Sequence, residues 1–423
     1  MAQAGTLSVP RGAALYVGAL IGPGLLLVPA LAAQAAGPAS IVAWAALLVL
    51  SAPLAITFAA LGVKHPVAGG VAAYVREGFG ESAAAVTGAW FVTAVIIGAP
   101  AVSLIGGYYV ADLTGAGTTA AVAVGLAMFG VVLAANAFGL RVSSGFQLGL
   151  SAVLVAVVAV AVGVALPSRA GDNWTPFVPH GWWAVGSAAN ILMWLFIGWE
   201  AMAQLAGEFP SPAKQLPRAM GLAFGVIAAL YIGLAVATIT VTADTSSKVP
   251  LADLIAVGFG RAGRDATAVL AIALTMGTMN VYMGGSARLA SALAQEGALP
   301  RWLGGDAHRS VPRRPLIVLA VLSSVLLLAL AAGVSSTTDL IRATSACFIA
   351  VYVLALASAV RILSGRVRTA ATVALALVTV VAVFSSTFLL VPAAAAIVSL
   401  GLRRLVRPST NGCTSPSWPP VSD

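Results

Sequence analysis

Charged residues are scarce in this sequence, and their scarcity excludes most classes of soluble protein. Only 8% of the 423 residues are Asp, Glu, Lys or Arg, while 60% are hydrophobic. Soluble domains carry about 25% charged residues, so this chain has too few charges to cover a water-facing surface. Cysteine is also rare, because only Cys347 and Cys413 occur, and this pair forms neither a disulfide framework nor a metal-ligand spacing. We therefore expect no metal and no cofactor.

Acidic residues are outnumbered, with 13 Asp and Glu against 22 Lys and Arg and a net charge of +9. Such a surplus is compatible with nucleic-acid binding, but that function needs a basic face on a folded domain. Here the basic residues stand in short segments between apolar runs, as orientation signals do in membrane proteins. We predict contact with a lipid bilayer and none with nucleic acid.

Apolar runs near the ~20 residues that cross a hydrocarbon core recur from end to end of the chain. The mean hydropathy is +1.01, and we interpret the runs as the twelve transmembrane helices of an all-α polytopic membrane protein. The predicted spans lie near 11–35, 40–62, 84–110, 118–138, 146–166, 184–206, 218–242, 266–293, 314–333, 338–361, 369–384 and 387–402.

The positions of the basic residues predict that both termini are cytoplasmic in a multi-pass protein of the cell membrane. With twelve spans, 17 of the 22 Lys and Arg residues fall on the cytoplasmic side, as the positive-inside rule requires. An eleven-span alternative would move only Arg403, Arg404 and Arg407 outside. Residues 1–10 are then a cytoplasmic N-terminus, and residues 408–423, rich in Pro and Ser, a disordered cytoplasmic tail.

The first span, YVGALIGPGLLLVPALAAQAAGP, contains a motif that opposes a continuous helix. Pro23 lacks an N–H and its ring opposes the preceding turn, while Gly22 and Gly24 weaken the helix on either side. Unwound backbone at membrane depth is tolerated only where it is buried in protein or lines a cavity. The N–H groups freed there suit an anionic group such as a carboxylate. Close helix packing through small residues is the alternative explanation.

The sixth span, NILMWLFIGWEAMAQLAGEF, combines Gly198 with Glu200, the only acidic residue that we place deep within a span. A charge at that depth costs roughly 3 kcal/mol even on insertion scales, so it usually faces a cavity or takes up a proton. The alternative is a structural carboxylate that is hydrogen-bonded to unwound backbone. The two roles are compatible, because such a carboxylate can also titrate.

The two interruptions occupy equivalent places in the chain. They fall in the first and sixth of ten core spans, and interrupted helices at matching positions of two repeats indicate a transporter with its site at mid-membrane. We therefore divide the chain into a ten-helix transporter core, 11–361, and the last two spans within 362–407. The first repeat covers about 11–166 and the second about 184–361.

Four motifs follow one another along the chain: IGPGLLLVPALAAQAAGP (21–38), HPVAGGVAAYVREGFG (65–80), WLFIGWEA (194–201) followed by GEFPSPAKQLPRA (207–219), and NVYMGGSARLASALAQEGALP (280–300). Together and in this order they resemble the amino acid–polyamine–organocation (APC) superfamily of permeases. Within the superfamily, the run FIGWEAMAQLAGEF and the chain length are most similar to bacterial exporters of L-methionine and branched-chain amino acids.

The resemblance implies a 5+5 inverted repeat of the LeuT type, in which discontinuous helices 1 and 6 hold an amino acid between them. The substrate carboxylate would meet backbone N–H groups near Ile21, Gly22 and Gly24. The ammonium would meet carbonyls at the second interruption, around Trp194, Phe196, Ile197 and Gly198. Trp194 matches an aromatic gate of the family, and Glu200 matches a polar residue involved in coupling or stability.

This sequence departs from the family pattern at two places. Pro23 stands between the glycines where a small polar residue is often found, which removes one potential N–H donor. The fifth span, 146–166, has no lysine of the kind that takes the place of a sodium ion in some relatives. Proton coupling through such a lysine is therefore excluded, and the coupling ion stays open.

These features predict a secondary active transporter that exports neutral amino acids, methionine and branched-chain ones, by proton-coupled alternating access. The apolar neighbourhood of Leu20, Leu25 and Trp199 favours a neutral substrate, whereas export follows from the resemblance alone. The alternatives are proton-coupled uptake of neutral amino acids, or transport of an amine or polyamine with Glu200 as its counter-charge. The oligomeric state is open.

Two other classes of membrane protein fit less well. An enzyme needs converging polar groups, but His65, His180 and His308 all fall in predicted loops, and no acid or histidine partner of Glu200 can be identified within the membrane. A channel needs a ring of charges or a carbonyl filter, and no such motif is visible.

Overall fold

A computed structural model of the chain describes residues 7–64, 70–138, 144–165, 167, 171–200, 208–241, 246–306 and 311–406. Every regular element in these ranges is helical. Ten of the described segments are long and apolar enough to cross a membrane, and the first of them, Val28–Lys64, includes the second half of the interrupted first span. The described helical part of the sixth span, Trp182–Phe196, is a shorter apolar helix. The prediction of an all-α polytopic membrane protein is confirmed.

The helices overlap the predicted spans except for the one over 70–79, which lies between two of them, and we number them in chain order over the described residues. They are α1 Val9–Leu20, α2 Val28–Ala36, α3 Ser40–Lys64, α4 Gly70–Phe79, α5 Glu81–Thr114, α6 Thr118–Ala137, α7 Ser144–Ala165, α8 Trp182–Leu192, α9 Pro212–Val241, α10 Pro250–Gln295, α11 Arg313–Ala331, α12 Thr337–Ile362, α13 Gly365–Val383 and α14 Leu390–Val406.

The largest difference from the predicted spans concerns α10, which begins 16 residues before the predicted start at 266. Gly260 has a φ of +56° and divides α10 into a short helix, 250–259, and the eighth span proper. The short helix escaped the sequence analysis because Arg261, Arg264 and Asp265 end the apolar pattern between the two parts.

The first span is broken where the Gly-Pro-Gly motif predicts it. Helix α1 ends at Leu20, Gly22 is extended with φ −133° and ψ −173°, and residues Pro23–Leu26 form one turn of 3₁₀ helix. Helix α2 resumes at Val28, and its Pro29 stands in the first turn, where a missing N–H costs no hydrogen bond. The discontinuity of helix 1 is confirmed.

The sixth span is broken in a similar way. Helix α8 ends at Leu192, and Met193–Phe196 form a 3₁₀ turn. Ile197 is extended with φ −78° and ψ 131°, and Gly198 has a φ of +130°, a region that disfavours residues with a Cβ atom. The predicted interruption of helix 6 is thus observed at Ile197 and Gly198, and the continuation of the span over 201–207 lies outside the described residues.

The third, eighth and tenth spans, α5, α10 and α12, pack together and reach the two breaks. The last two helices are peripheral, with only 17% of the apolar window buried in α13 and 11% in the segment that contains α14. The division into two repeats within 11–361 stays a prediction, and residues 1–6 and 407–423 lie outside the described part of the chain.

Ionic contacts tie the helix ends together at both ends of the bundle. At one end, Arg76 pairs with Glu81 at 2.9 Å and with Glu296 at 3.4 Å. At the other end, the guanidinium group of Arg264 donates to both oxygens of Asp112, at 2.7 and 2.6 Å, and to Asp253 at 2.6 Å. The second cluster joins α5 to both parts of α10.

Candidate functional site

A cavity of about 330 Å³ lies where the two broken spans meet. Its size falls at the lower end of the range for small-molecule sites, about 300–1,000 Å³. Half of its lining residues come from the two broken spans, namely residues 18–24 of the first span and Trp194, Leu195, Ile197, Gly198 and Glu200 of the sixth. Helices α5, α7, α10 and α12 complete the wall with residues that include Gly98, Gln147, Thr278, Tyr282, Thr344 and Phe348.

Gly22 faces open space in this cavity. A Cβ atom added to Gly22 would meet no atom within 4 Å. Within the described part of the chain, the N–H groups of Gly22 and Gly24 donate to no acceptor, whereas the Ile21 N–H donates to the Val17 carbonyl at 2.8 Å. Two of the three predicted carboxylate donors are therefore free, and Ile21 is engaged within α1.

Gly24 has a different role from Gly22, because it allows the two broken spans to touch. A Cβ atom at Gly24 would stand 2.7 Å from Cδ2 of Leu195 and 3.1 Å from Cδ1 of Trp194. The indole of Trp194 extends across the cavity, so that a Cβ at Gly98 on α5 would lie 3.4 Å from its far edge. Trp194 thus spans the cavity between the first break and α5.

Gly198 brings the sixth-span break against the end of α1. A Cβ atom at this position would lie 3.0 Å from the Ala19 carbonyl oxygen, and the φ of +130° adds backbone strain for any other residue. The neighbouring Ile197 lines the cavity. The ring of Phe196 instead packs against Trp44 and Tyr231, with centroids 6.2 and 5.2 Å away.

Glu200 lines the cavity and bonds back to the break beside it. Its Oε2 accepts a hydrogen bond from the Gly198 N–H at 2.9 Å and a short one from the Tyr352 hydroxyl of α12. The Gly198 N–H also lies 3.1 Å from the Tyr352 hydroxyl oxygen. Glu200 is the only charged residue among the described residues that line the cavity.

Tyr231 and Tyr109 are site residues that the sequence analysis missed. The oxygen of the buried Tyr231 hydroxyl lies 3.1 Å from the Leu20 carbonyl oxygen and 2.8 Å from the Leu195 carbonyl oxygen, so its single proton is shared between the two breaks. The Tyr109 hydroxyl donates to the Leu26 carbonyl at 2.9 Å. Unwinding leaves such carbonyls without helical partners, so they need another hydrogen-bond donor. The presence of a tyrosine in an apolar span was the only feature of the sequence that could have indicated this role.

We expect Tyr231→Phe to destabilise the protein, because two buried carbonyls would lose their donor at a cost of about 1–3 kcal/mol. The measurement is the apparent Tm of the purified protein. Tyr16→Phe is the matched control, since the buried Tyr16 hydroxyl has no partner among the described residues and its loss should leave Tm unchanged or raise it. Equal Tm values for the two variants would contradict this role of Tyr231.

Gln147 of α7 is another cavity residue that the sequence analysis did not single out. Its Oε1 is buried without a hydrogen-bond partner in the described structure, close to Gly277 of α10. It stands in the fifth span, 146–166, which contains no lysine. The span pattern could not indicate which of its residues faces the cavity.

Comparison with known proteins decides the family. The sequence profile of the family described as amino acid permease matches residues 7–407, nearly the whole chain. This protein belongs to the amino acid permease family. The predicted APC resemblance is thereby confirmed, and the family consists of transporters rather than enzymes.

Individual relatives agree with the assignment of this chain to the amino acid permease family. The uncharacterized amino acid permease YecA of Bacillus subtilis is 33% identical over 359 residues, covering 84% of this chain and 85% of the relative. The L-methionine/branched-chain amino acid exporter YjeH of Escherichia coli is 28% identical over 376 residues, covering 87% and 88%. The branched-chain amino acid permease BcaP of B. subtilis is 26% identical over 314 residues, covering 68% and 66%.

Proposed function

We propose that the permease is a secondary active transporter that exports neutral amino acids by alternating access around the two breaks. The observation that carries this proposal is the open space at Gly22, beside N–H groups that donate to no acceptor among the described residues, at the meeting point of both broken spans. In this arrangement the substrate carboxylate binds at Gly22 and Gly24, and its ammonium binds carbonyls near Trp194, Phe196, Ile197 and Gly198. Ile21 contributes to the wall rather than an N–H.

The charge of the cavity supports a neutral side chain. Its described lining contains a single carboxylate, Glu200, which already accepts hydrogen bonds from Gly198 and Tyr352. A cationic side chain would need a further acid, because an unpaired charge in a buried site is costly. The surrounding Val95, Ala99 and Phe348 are apolar, which suits methionine or a branched aliphatic side chain.

The direction of transport and the cellular location are proposed on separate grounds. Export of methionine and branched-chain amino acids is proposed because the E. coli relative carries that name over 88% of its length. We place the protein in the cytoplasmic membrane with both termini cytoplasmic, since this orientation follows the positive-inside rule.

The test of substrate class is thermal stabilisation of the purified protein by each of the twenty amino acids and by putrescine. We expect methionine, leucine, isoleucine and valine to raise the apparent Tm in a concentration-dependent way. Counterflow in proteoliposomes loaded with the same compounds then tests transport. Stabilisation and counterflow with putrescine alone would instead support the alternative of an amine or polyamine carrier that uses Glu200 as counter-charge.

A second alternative, proton-coupled uptake, shares this site and differs only in direction. It is compatible with the name of the B. subtilis relative, a branched-chain amino acid permease. Cells that carry the permease should accumulate less labelled methionine than cells without it if the protein exports, and more if it takes substrate up.

We propose that transport is proton-coupled and that Glu200 carries the proton, so we expect Glu200→Gln to flatten the pH dependence of transport. The amide oxygen can still accept from Gly198 and Tyr352, so the break keeps a partner while the titratable group is lost. The measurement is initial counterflow rate between about pH 5 and 8. The control is Glu208→Gln, an exposed acid outside the cavity lining. A wild-type pH profile in the Glu200 variant would assign this carboxylate to structure alone.

A further inference from the structure

A second cavity, of about 480 Å³, lies at the outer surface of the bundle and takes no part in the proposed transport site. It is a groove between α3, the start of α9 and the junction of α12 with α13. The ion pairs of Arg76 lie at the same end of the bundle as this groove. Here Lys64 and Arg361 each donate a hydrogen bond to a carbonyl at the end of a neighbouring helix.

The walls of the groove are apolar and open sideways. Ala60, Leu216 and Met220 line it, and so do Ile56 and Val63, whose exposed fractions are 47% and 43%. Both exposed side chains belong to a membrane-spanning helix, so they face hydrocarbon rather than water. An acyl chain is therefore the occupant that this wall accepts.

The rim of the groove is basic. Nζ of Lys64 donates to the Ile362 carbonyl at 2.6 Å, and an ammonium group has two further N–H donors. Ser364 also lines the rim, and its hydroxyl makes no capping hydrogen bond at the start of α13. The exposed Arg366 and Arg368 flank the lining residue Val367, and none of the described lining residues is acidic.

We propose that this groove binds an anionic phospholipid, with one acyl chain between α3 and α9 and its phosphate at Lys64. The pairing of an apolar wall with a basic rim at a helix end matches that chemistry, because basic pockets between transmembrane helices bind anionic head groups. The bound lipid would connect α3 and α9, the helices that follow the first and sixth spans. It would stabilise the bundle without entering the transport cavity.

The test compares phosphatidylglycerol with phosphatidylcholine of identical acyl chains on the purified full-length protein in detergent. Native mass spectrometry measures lipid adducts, and apparent Tm is measured in parallel. We expect phosphatidylglycerol to bind more tightly and to raise Tm, whereas phosphatidylcholine should have little effect. Equal binding of both lipids overturns the proposal.

Two variants locate the binding at the groove. Lys64→Gln removes the rim charge and should weaken phosphatidylglycerol binding about 5- to 10-fold, the effect of one lost cationic contact near a membrane surface. Ala60→Trp fills the wall and should displace the acyl chain, so it keeps the proposal testable if the Lys64 variant fails to fold. Wild-type binding in both folded variants overturns the proposal.

Matched controls separate a defined site from general attraction. Arg301→Gln removes an exposed charge outside the groove, and Val131→Trp adds bulk at an exposed position of α6. Both should bind phosphatidylglycerol like the wild type. A loss in Arg301→Gln equal to that in Lys64→Gln would also overturn the proposal, because it would show binding by net charge alone.

Discussion

Gly22→Leu is expected to abolish substrate binding and transport while the protein still folds. Gly22 is extended, with a φ of −133° that any residue adopts, and its Cβ position is open. The leucine side chain would therefore occupy the proposed carboxylate site without strain. Loss of two charge-assisted hydrogen bonds, about 1.5–3 kcal/mol each, corresponds to at least about a 100-fold loss of affinity.

Two measurements check this expectation. The apparent Tm without substrate should stay near that of the wild type, and the Tm increase caused by methionine or leucine should disappear together with counterflow. Gly130→Leu is the matched control, because Gly130 is also open to a Cβ but lies exposed on α6 away from the cavity. Near-normal transport by Gly22→Leu would refute the placement of the carboxylate.

Gly24 is unsuitable for the same test, although the two glycines are equivalent in the sequence motif. A Cβ at Gly24 would approach Leu195 to 2.7 Å, so a substitution there would push the broken spans apart. Loss of transport in a Gly24 variant would report on this packing and on the substrate site together. The alternative explanation of the motif, close helix packing, thus applies to Gly24 and not to Gly22.

Gly198→Ala is expected to impair both folding stability and transport, in contrast to Gly22→Leu. The φ of +130° is disfavoured for alanine, and the added Cβ would press against the Ala19 carbonyl at 3.0 Å. Backbone strain of this kind costs about 1–3 kcal/mol. The displaced break would also move the Gly198 N–H away from Glu200, which it now reaches at 2.9 Å.

The apparent Tm and the counterflow rate of Gly198→Ala should both fall. Gly225→Ala is the matched control, because Gly225 lies in the exposed face of α9 with no atom near its Cβ position, and alanine favours a helix over glycine by about 1 kcal/mol. That control should keep or raise Tm. A stable, active Gly198→Ala variant would show that the sixth-span break tolerates an ordinary backbone.

The breaks themselves could be predicted because their causes are local. Pro23 removes an N–H and opposes the helix wherever that span packs, and the break at Gly22 follows from the residues beside it. The depth of Glu200 is likewise a matter of counting along an apolar run. The start of α10 was predicted wrongly because it does not follow from local sequence alone. Charged residues around Gly260 interrupt the apolar pattern, and they concealed a short helix that tertiary packing stabilises.

The tyrosines that serve the breaks could not be predicted, because their roles depend on contacts between distant helices. Tyr231 is 211 positions from Leu20, and Tyr352 is 152 positions from Glu200. A span that is apolar on all sides gives no periodic signal for the face that a single polar residue takes. Gln147 is hidden from sequence analysis for the same reason.

The sequence by itself determined the class of protein and the two positions at which helices break. Low charge, repeated apolar runs and the chemistry of Gly-Pro-Gly act over a few neighbouring residues, so they can be identified without a fold. Only the tertiary structure decided that Gly22 opens into a cavity while Gly24 is a contact, and that one tyrosine joins both breaks. These distinctions depend on which atoms of other helices lie within a few ångströms, and that information is created when the helices pack.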